Sequence, residues 1–273
     1  MRPNSVPMTH RILITNDDGV NSSGLLAAYE AVRELGEATI VAPAAQQSAV
    51  GRSMTLFEPL RIARTKVNGT PAYSVSGTPT DSVIIGMFVV MKEKPDLVIS
   101  GFNIGENLTT EAATTSGTIG AALEASGQGV PAMAVSIRVM DEGDKFMDTD
   151  FRRDYSVAIK LVNRLAKRVL EGALPEGVDV LNVNIPSNAE PDTEIVVTRL
   201  ARKMYNTRVH HRQDPRGRSY YWIDGTVVED AEEGTDLHAV MKKNQISITP
   251  LTADMTAGCD LKELRERLVK ALM

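Results

Sequence analysis

Two carboxylates stand side by side where the first hydrophobic run ends, in HRILITNDDG (10–19). Asp17 and Asp18 repel one another, and nothing adjacent in sequence supplies a cation. A solvated turn is the plain reading, since DDG at a strand end is often no more than that. The alternative is a divalent cation between them, which turns the repulsion into coordination. Oxygen-bearing side chains recur downstream: Ser48 in AAQQSAVG (44–51), Ser100, Asn103 and Asn107 in ISGFNIGEN (99–107), Ser116 and Thr118 in SGTIG (116–120). Carboxylate, amide and hydroxyl oxygens suit magnesium, manganese or calcium and do not suit zinc or copper. The SGT turn runs straight into a helix, so its free backbone N–H groups lie at the positive end of the dipole and suit a phosphate. Each element has a plainer alternative: a polar loop for Ser48, a left-handed backbone for Asn103, an N-cap for Ser116.

The elements that must carry these residues follow from periodicity. RILIT (11–15) reads as a buried parallel strand, LLAAYEAVREL (25–35) as a helix stopped by Gly36, and EATIVAP (37–43) as the next strand, which together make a β-loop-α-β unit. GTPTDSVIIGMFVVMKEK (77–94) reads as a helix capped near Thr78 or Thr80, and PDLVISGFN (95–103) as a strand. SGTIGAALEASGQG (116–129) and SVAIKLVNRLAKRVLEG (156–172) read as helices, VPAMAVSI (130–137) and DVLNVNIP (179–186) as strands. The pattern predicts an α/β fold: a Rossmann-like, doubly wound, mostly parallel sheet over residues 1–186. Past Pro186, EIVVTRLA (194–201), RSYYWID (218–224) and QISITPL (245–251) read as strands and LKELRERLVKAL (261–272) as a terminal helix. Residues 187–273 are thus a strand-rich C-terminal extension, either an accessory subdomain or an oligomerisation arm. Ligands of open parallel sheets bind beyond the carboxyl ends of the strands. Asp17, Asp18, Ser48, Asn103 and the SGT turn all fall there, and a metal plus a phosphate cradle on one sheet edge imply phosphoryl chemistry.

Composition narrows the classes. The 273 residues are 42% hydrophobic and 24% charged, ordinary for a globular chain with a sizeable core. A net charge of −5, with both signs mixed along the chain, argues against a nucleic-acid-binding surface. The basic stretch RQDPRGR (212–218) reads as a solvated loop. A single cysteine, Cys259, excludes an intrachain disulfide and a thiolate zinc cluster, and the four histidines include no HxxxH or HxH pair. MRPNSVPMTH lacks the build of a signal peptide and no apolar run reaches transmembrane length, so the expectation is a cytoplasmic protein with no membrane partner. No GxGxxG follows the first strand and no GK[ST] occurs, which disfavours NAD binding and a P-loop. A non-catalytic receiver-like module needs an aspartate ending its third strand and a lysine after its fifth. Here DLVIS ends in Ser100 and Asn103, and VPAMAVSIR offers Arg138. Phosphatases of the haloacid-dehalogenase type need two acids separated by one residue, whereas these are adjacent.

ITNDDGVNSSGL resembles the signature of the SurE survival-protein nucleotidase family. VSGTPTDSV, DLVISGFNIGENL, SGTIGAALEA, NVNIP, DPRGRSYYWI and ISITPL resemble its later blocks in the same order, over roughly residues 10–251. The resemblance implies a metal-dependent phosphatase acting on nucleoside 5′- and 3′-monophosphates, and on short polyphosphate in some members. It implies one divalent ion per subunit, magnesium or manganese, held by Asp17, Asp18, Ser48 and Asn103. It places Asn107, Ser116, Gly117 and Thr118 at the phosphate, Asp17 and Asp18 in catalysis, and the C-terminal extension in a homodimer or homotetramer. The stretch LTTEAATTSGT departs from the family pattern, with Thr115 where a tyrosine is usual.

Overall fold

The computed structural model describes residues 10–139 and 153–268. Residues 1–9, most of the stretch MRPNSVPMTH, and residues 269–272 of the expected terminal helix lie outside them. Six parallel strands form the middle of the central sheet: β1 (His10–Thr15), β2 (Gly36–Pro43), β4 (Thr70–Val75), β5 (Leu97–Ile104), β6 (Ala132–Ile137) and β7 (Val180–Ile185). Three further strands join them, β3 (Ile62–Val67), β8 (Ile195–Val197) and β11 (Ile246–Leu251), giving nine in the order β3-β4-β2-β1-β5-β6-β7-β11-β8. β3 and β11 run antiparallel to their neighbours β4 and β7. After β1 the chain builds the sheet to one side through β2 and β4, then returns to place β5 on the other side. The switch point therefore lies between the ends of β1 and β5, where such sheets open a crevice.

Helices cover both faces because the core strands are apolar on both. Ile12 and Ile14 of β1 pack with α1 (Ser23–Val32) and α5 (Ser156–Leu170). Leu13 between them packs with α2 (Pro79–Ile85) and α4 (Gly117–Gly127). All three side chains are fully buried, each contributing about 1.5–3 kcal/mol of transfer free energy.

Four features differ from the sequence reading. The helix expected over 77–94 is α2 followed by a π-helical turn, Gly86–Val90, and is capped by Thr78 in a capping box with Asp81. Gly86 lies so close to Leu13 that a methyl group there would stand 2.7 Å from Leu13 Cδ1. The hairpin β3–β4 was not anticipated, although its Asn68–Gly69 turn, with both residues at positive φ, is a strong hairpin signal. The stretch 108–115 is a helix, α3 (Thr109–Thr115), and α6 (Asp236–Lys242) also escaped the pattern. Finally, β11 and β8 extend the central sheet itself. Only β9 (Tyr205–Gln213) and β10 (Ser219–Val227) stand apart, as a two-stranded hairpin with RQDPRGR at its tip. The terminal helix is present as α7 (Leu261–Leu268). Among the described residues no helix is long and apolar enough to cross a membrane.

Candidate active site

At the switch point lies a cleft of about 440 Å³, lined by Asp17, Asp18, Ser48, Asn103, Asn107 and Ser116 among others. Local turn chemistry places each of them. The NDDG turn is closed by Asn16, whose Nδ2 donates to Gly19 O (3.1 Å) and whose Oδ1 accepts from Gly19 N (3.2 Å). This frees the two aspartates to point outward from the strand end. The Ser48 loop is laced to that turn by Gln47 N–H donating to Asp17 O (2.7 Å), and to the end of α3 by Gly51 N–H donating to Thr115 O (2.8 Å). Ser48 itself is exposed, and its Oγ accepts from Gln46 Nε2 at 3.0 Å.

Asn103 reaches the cleft through an irregularity. The register of β5 against β6 shifts between Ser100 and Asn103, where Gly101 has φ +135°. A Cβ there would meet Val135 O at 2.3 Å, so only glycine fits. Asn103 Nδ2 donates to Gly105 O at 2.7 Å, which leaves its carbonyl Oδ1 for a ligand. Asp18 Oδ2 accepts the Ile104 N–H at 3.2 Å, tying the first strand's carboxylates to the same loop.

Asp17 is 5% exposed and sits against the N-terminus of α4. Thr118 Oγ1 donates to Asp17 Oδ1 at 2.7 Å, and Thr118 N–H also faces the carboxylate. Burial pushes the Asp17 carboxyl above its ordinary range, and these hydrogen bonds draw it part of the way back. The helix end therefore already meets one carboxyl group, that of the protein's own Asp17. Ser116 caps the helix, its Oγ accepting from Ile119 N–H at 3.2 Å. Ser116 also lines the cleft. Gly117 and Thr118 stand behind Asp17 rather than on the cleft wall. Asn107 lines the cleft, but both hydrogens of its Nδ2 are committed inward, to Ser136 Oγ (2.9 Å) and Thr118 Oγ1 (3.3 Å).

Sequence reasoning passed over the opposite wall. α3 contributes Glu111, Ala112 and Thr115, facing Met204 and Tyr205 at the root of the β9–β10 hairpin. Helix propensity does not explain α3, whose seven residues include four threonines and whose cap, Leu108, makes no side-chain cap bond. Tertiary ties hold it: Thr109 N–H to Asp236 Oδ2 (2.7 Å), Thr110 N–H to Ala201 O (2.8 Å) and Met204 N–H to Glu111 Oε2 (3.1 Å). No local signal in 108–115 announces partners a hundred residues away.

The donor set of two carboxylates, an amide carbonyl and a hydroxyl fits a hard divalent cation. Among the described residues no group of three or more His, Cys, Asp or Glu that could hold a metal ion is present.

Fold and site together define a doubly wound α/β protein whose switch-point cleft gathers carboxylate, amide and hydroxyl groups at one end. Comparison with known proteins gives the narrower class. Residues 12–207 match the family described as Survival protein SurE. A protein of Methanocella arvoryzae named 5′-nucleotidase SurE is 68% identical over 96% of this chain and 99% of its own length. One of Archaeoglobus fulgidus with the same name is 56% identical over 92% and 94%. The crystal structure of the SurE protein from Aquifex aeolicus superposes with a TM-score of 0.78 at 36% identity, covering 94% of this chain and 99% of that one. The chain belongs to the SurE family.

Proposed function

We propose that this protein is a divalent-metal-dependent nucleotidase, cleaving nucleoside 5′-monophosphates to nucleoside and phosphate, with 3′-monophosphates and short polyphosphate as further substrates. The observation that carries the reading is the convergence of Asp17, Asp18, Ser48 and Asn103, from three separate chain segments, on one cleft beside the N-terminus of α4. The names of its relatives point the same way.

Asp17, Asp18, Ser48 Oγ and Asn103 Oδ1 would hold one magnesium or manganese ion. When bound, such an ion neutralises phosphoryl charge and acidifies water. The Ser116 hydroxyl is the donor placed for a phosphate oxygen at the mouth of the helix, with the backbone there adding its positive end. Asn107 takes a different part from the one its motif suggests: with its N–H groups spent internally, it positions Thr118 and Asp17. Met204, Tyr205 and Ala112 give that end of the cleft apolar surface, suited to the nucleoside, beside the polar Glu111 and Thr115. The β9–β10 hairpin, whose strands pair with no other strand among the described residues, is the arm through which copies would assemble as a homodimer or homotetramer.

The test is phosphate release from AMP, GMP, a 3′-nucleotide and a sugar phosphate, each with magnesium, manganese or EDTA. Metal-dependent release favouring nucleotides is the expected result. Release that persists in EDTA would remove the metal from the mechanism. Release from the sugar phosphate alone would remove the nucleotide.

A further inference from the structure

We propose that Asn182 and Asn184 of β7 are positioning residues for the cleft: their side-chain amides clasp the Asn107 peptide and, through Asn107 and Thr118, set the Asp17 carboxylate. The inference rests on the reading of Asp17 as a ligand of a divalent cation.

β7 is an interior strand, the kind whose positions are usually filled by Val, Ile and Leu on both faces. Its sequence VLNVNI instead puts amides at alternate positions, and period-two geometry sends both to one face. Asn184 Oδ1 accepts the Asn107 N–H at 2.8 Å while Asn184 Nδ2 donates to Asn107 O at 3.1 Å. The side chain thus gives Asn107 both bonds that a neighbouring strand would give, just where β5 has ended. Asn182 Nδ2 adds a third bond, to the same carbonyl, at 2.9 Å. All three asparagines are buried, and the Oδ1 of Asn182 is left without a hydrogen-bond partner. An unpartnered buried carbonyl is a cost that an apolar side chain would avoid, so a role beyond packing is indicated.

Counting protons shows what the clasp fixes. A carboxylate that ligates a cation only accepts, so with Asp17 in that role the single hydroxyl hydrogen of Thr118 is spent on its Oδ1. The Thr118 oxygen must then accept, which obliges Asn107 to present its NH₂ group there, as it also does to Ser136. The amide of Asn107 has only one orientation that satisfies both. Asn184 holds the Asn107 backbone by one bond in each direction, and from the Asn107 amide the bonds run one way, to Thr118 and on to Asp17, ending on the residue read as a cation ligand. Such outer partners orient ligands and tune affinity without touching the ion.

The experiment is Mn²⁺ binding to the metal-stripped full chain, measured by calorimetry for wild type, N184A, T118V and the double variant, with thermal melting alongside. We expect N184A and T118V each to weaken Mn²⁺ binding by about 10–100-fold. The double variant should be no weaker than the weaker single one, because both cut the same chain of bonds. Losses that multiply in the double variant, or N184A binding within about twofold of wild type, would overturn the proposal while leaving the metal site in place. Failure of wild type to hold Mn²⁺ would overturn the metal reading, and this proposal with it. Should N184A not fold, N182A serves, since it keeps the two-bond clasp: a loss of several-fold with T118V non-additivity supports the proposal, and unchanged affinity refutes it.

Discussion

A methyl group on Gly117 would stand 2.8 Å from Asp17 Cβ and 3.2 Å from Gln47 O, so the first turn of α4 rests directly on the aspartate turn. Replacing a helical glycine by alanine ordinarily stabilises a helix by about 1 kcal/mol. Here the sign should reverse. G117A must push the helix away from Asp17, at an overpacking cost of about 1–3 kcal/mol. Phosphate release should fall at least tenfold, because the Thr118 donor moves with the helix. Urea unfolding and an AMP assay check both, and a G117A variant more stable than wild type would show that the contact is not made in solution.

Asp17 and Asp18 separate stability from activity. Burial disfavours the charged form of Asp17, and an asparagine in its place can still accept the Thr118 hydroxyl without that cost. Metal-free D17N should therefore melt at or above the wild-type temperature while losing at least about 100-fold in phosphate release. D18N should lose activity to a similar degree. Adding Mn²⁺ should raise the melting temperature of wild type and leave that of either variant unmoved, since a ligand stabilises only the state that binds it. A D17N enzyme with near-normal turnover would remove Asp17 from the site.

Asp236 holds the far wall of the cleft. Its carboxylate accepts N–H groups from Thr109 (2.7 Å), Ala201 (2.8 Å) and Leu237 (2.8 Å), joining the start of α3 to the segment that leads into the hairpin. Thr109 has φ +75°, an unfavourable conformation for a β-branched residue, and the Asp236 bond helps hold it there. D236A would leave buried amides unpaired and should cost about 2–4 kcal/mol. Burial is the largest influence on the Asp236 carboxyl and lifts it above its ordinary value of 3.8, the three amides notwithstanding. The native state then binds this proton more tightly than the unfolded state does. Relative to D236N, wild type should therefore gain stability as pH falls through the raised value towards 3.8, and show a flat difference above it. Denaturant titrations of both chains across that range check the slope.

Much of this was legible in the chain. The β1–α1–β2 unit, the strand ending in SGFN and the helix after SGT declare themselves by periodicity and caps, and they are local. Convergence on the switch point follows from them, because in a parallel sheet all the strands end on one side. What the sequence concealed is non-local. The bonds of Asn107 to β7 join residues 75 and 77 positions apart, and α3 is helical through Asp236 and Ala201 rather than through its own threonines. The Asn68–Gly69 turn is a local signal too, since Asn-Gly between two short strands marks a hairpin. The NVN of β7 reads as strand in either case, and nothing in the pattern says that its amides substitute for a missing strand.

Trp222 is the only tryptophan, and it lies on the β9–β10 hairpin with 60% of its surface exposed, beside Ile223 at 80%. His211 and Tyr221 stack across the strands at 4.9 Å, which helps the hairpin hold its register. A two-stranded ribbon is nevertheless marginal in water, and one that displays Val209, Trp222 and Ile223 invites association along its faces and edges. If copies assemble through this arm, the indole leaves water when they do. Tryptophan emission should then shift to the blue as protein concentration rises, in step with the mass seen by light scattering. Shortening the arm by joining residues 206 and 226 through a tight turn should lower the mass and leave the stability of the central sheet within about 0.5 kcal/mol, because the arm pairs with none of its strands. An emission maximum that stays at the solvent-exposed wavelength while the mass doubles would place the interface on another surface.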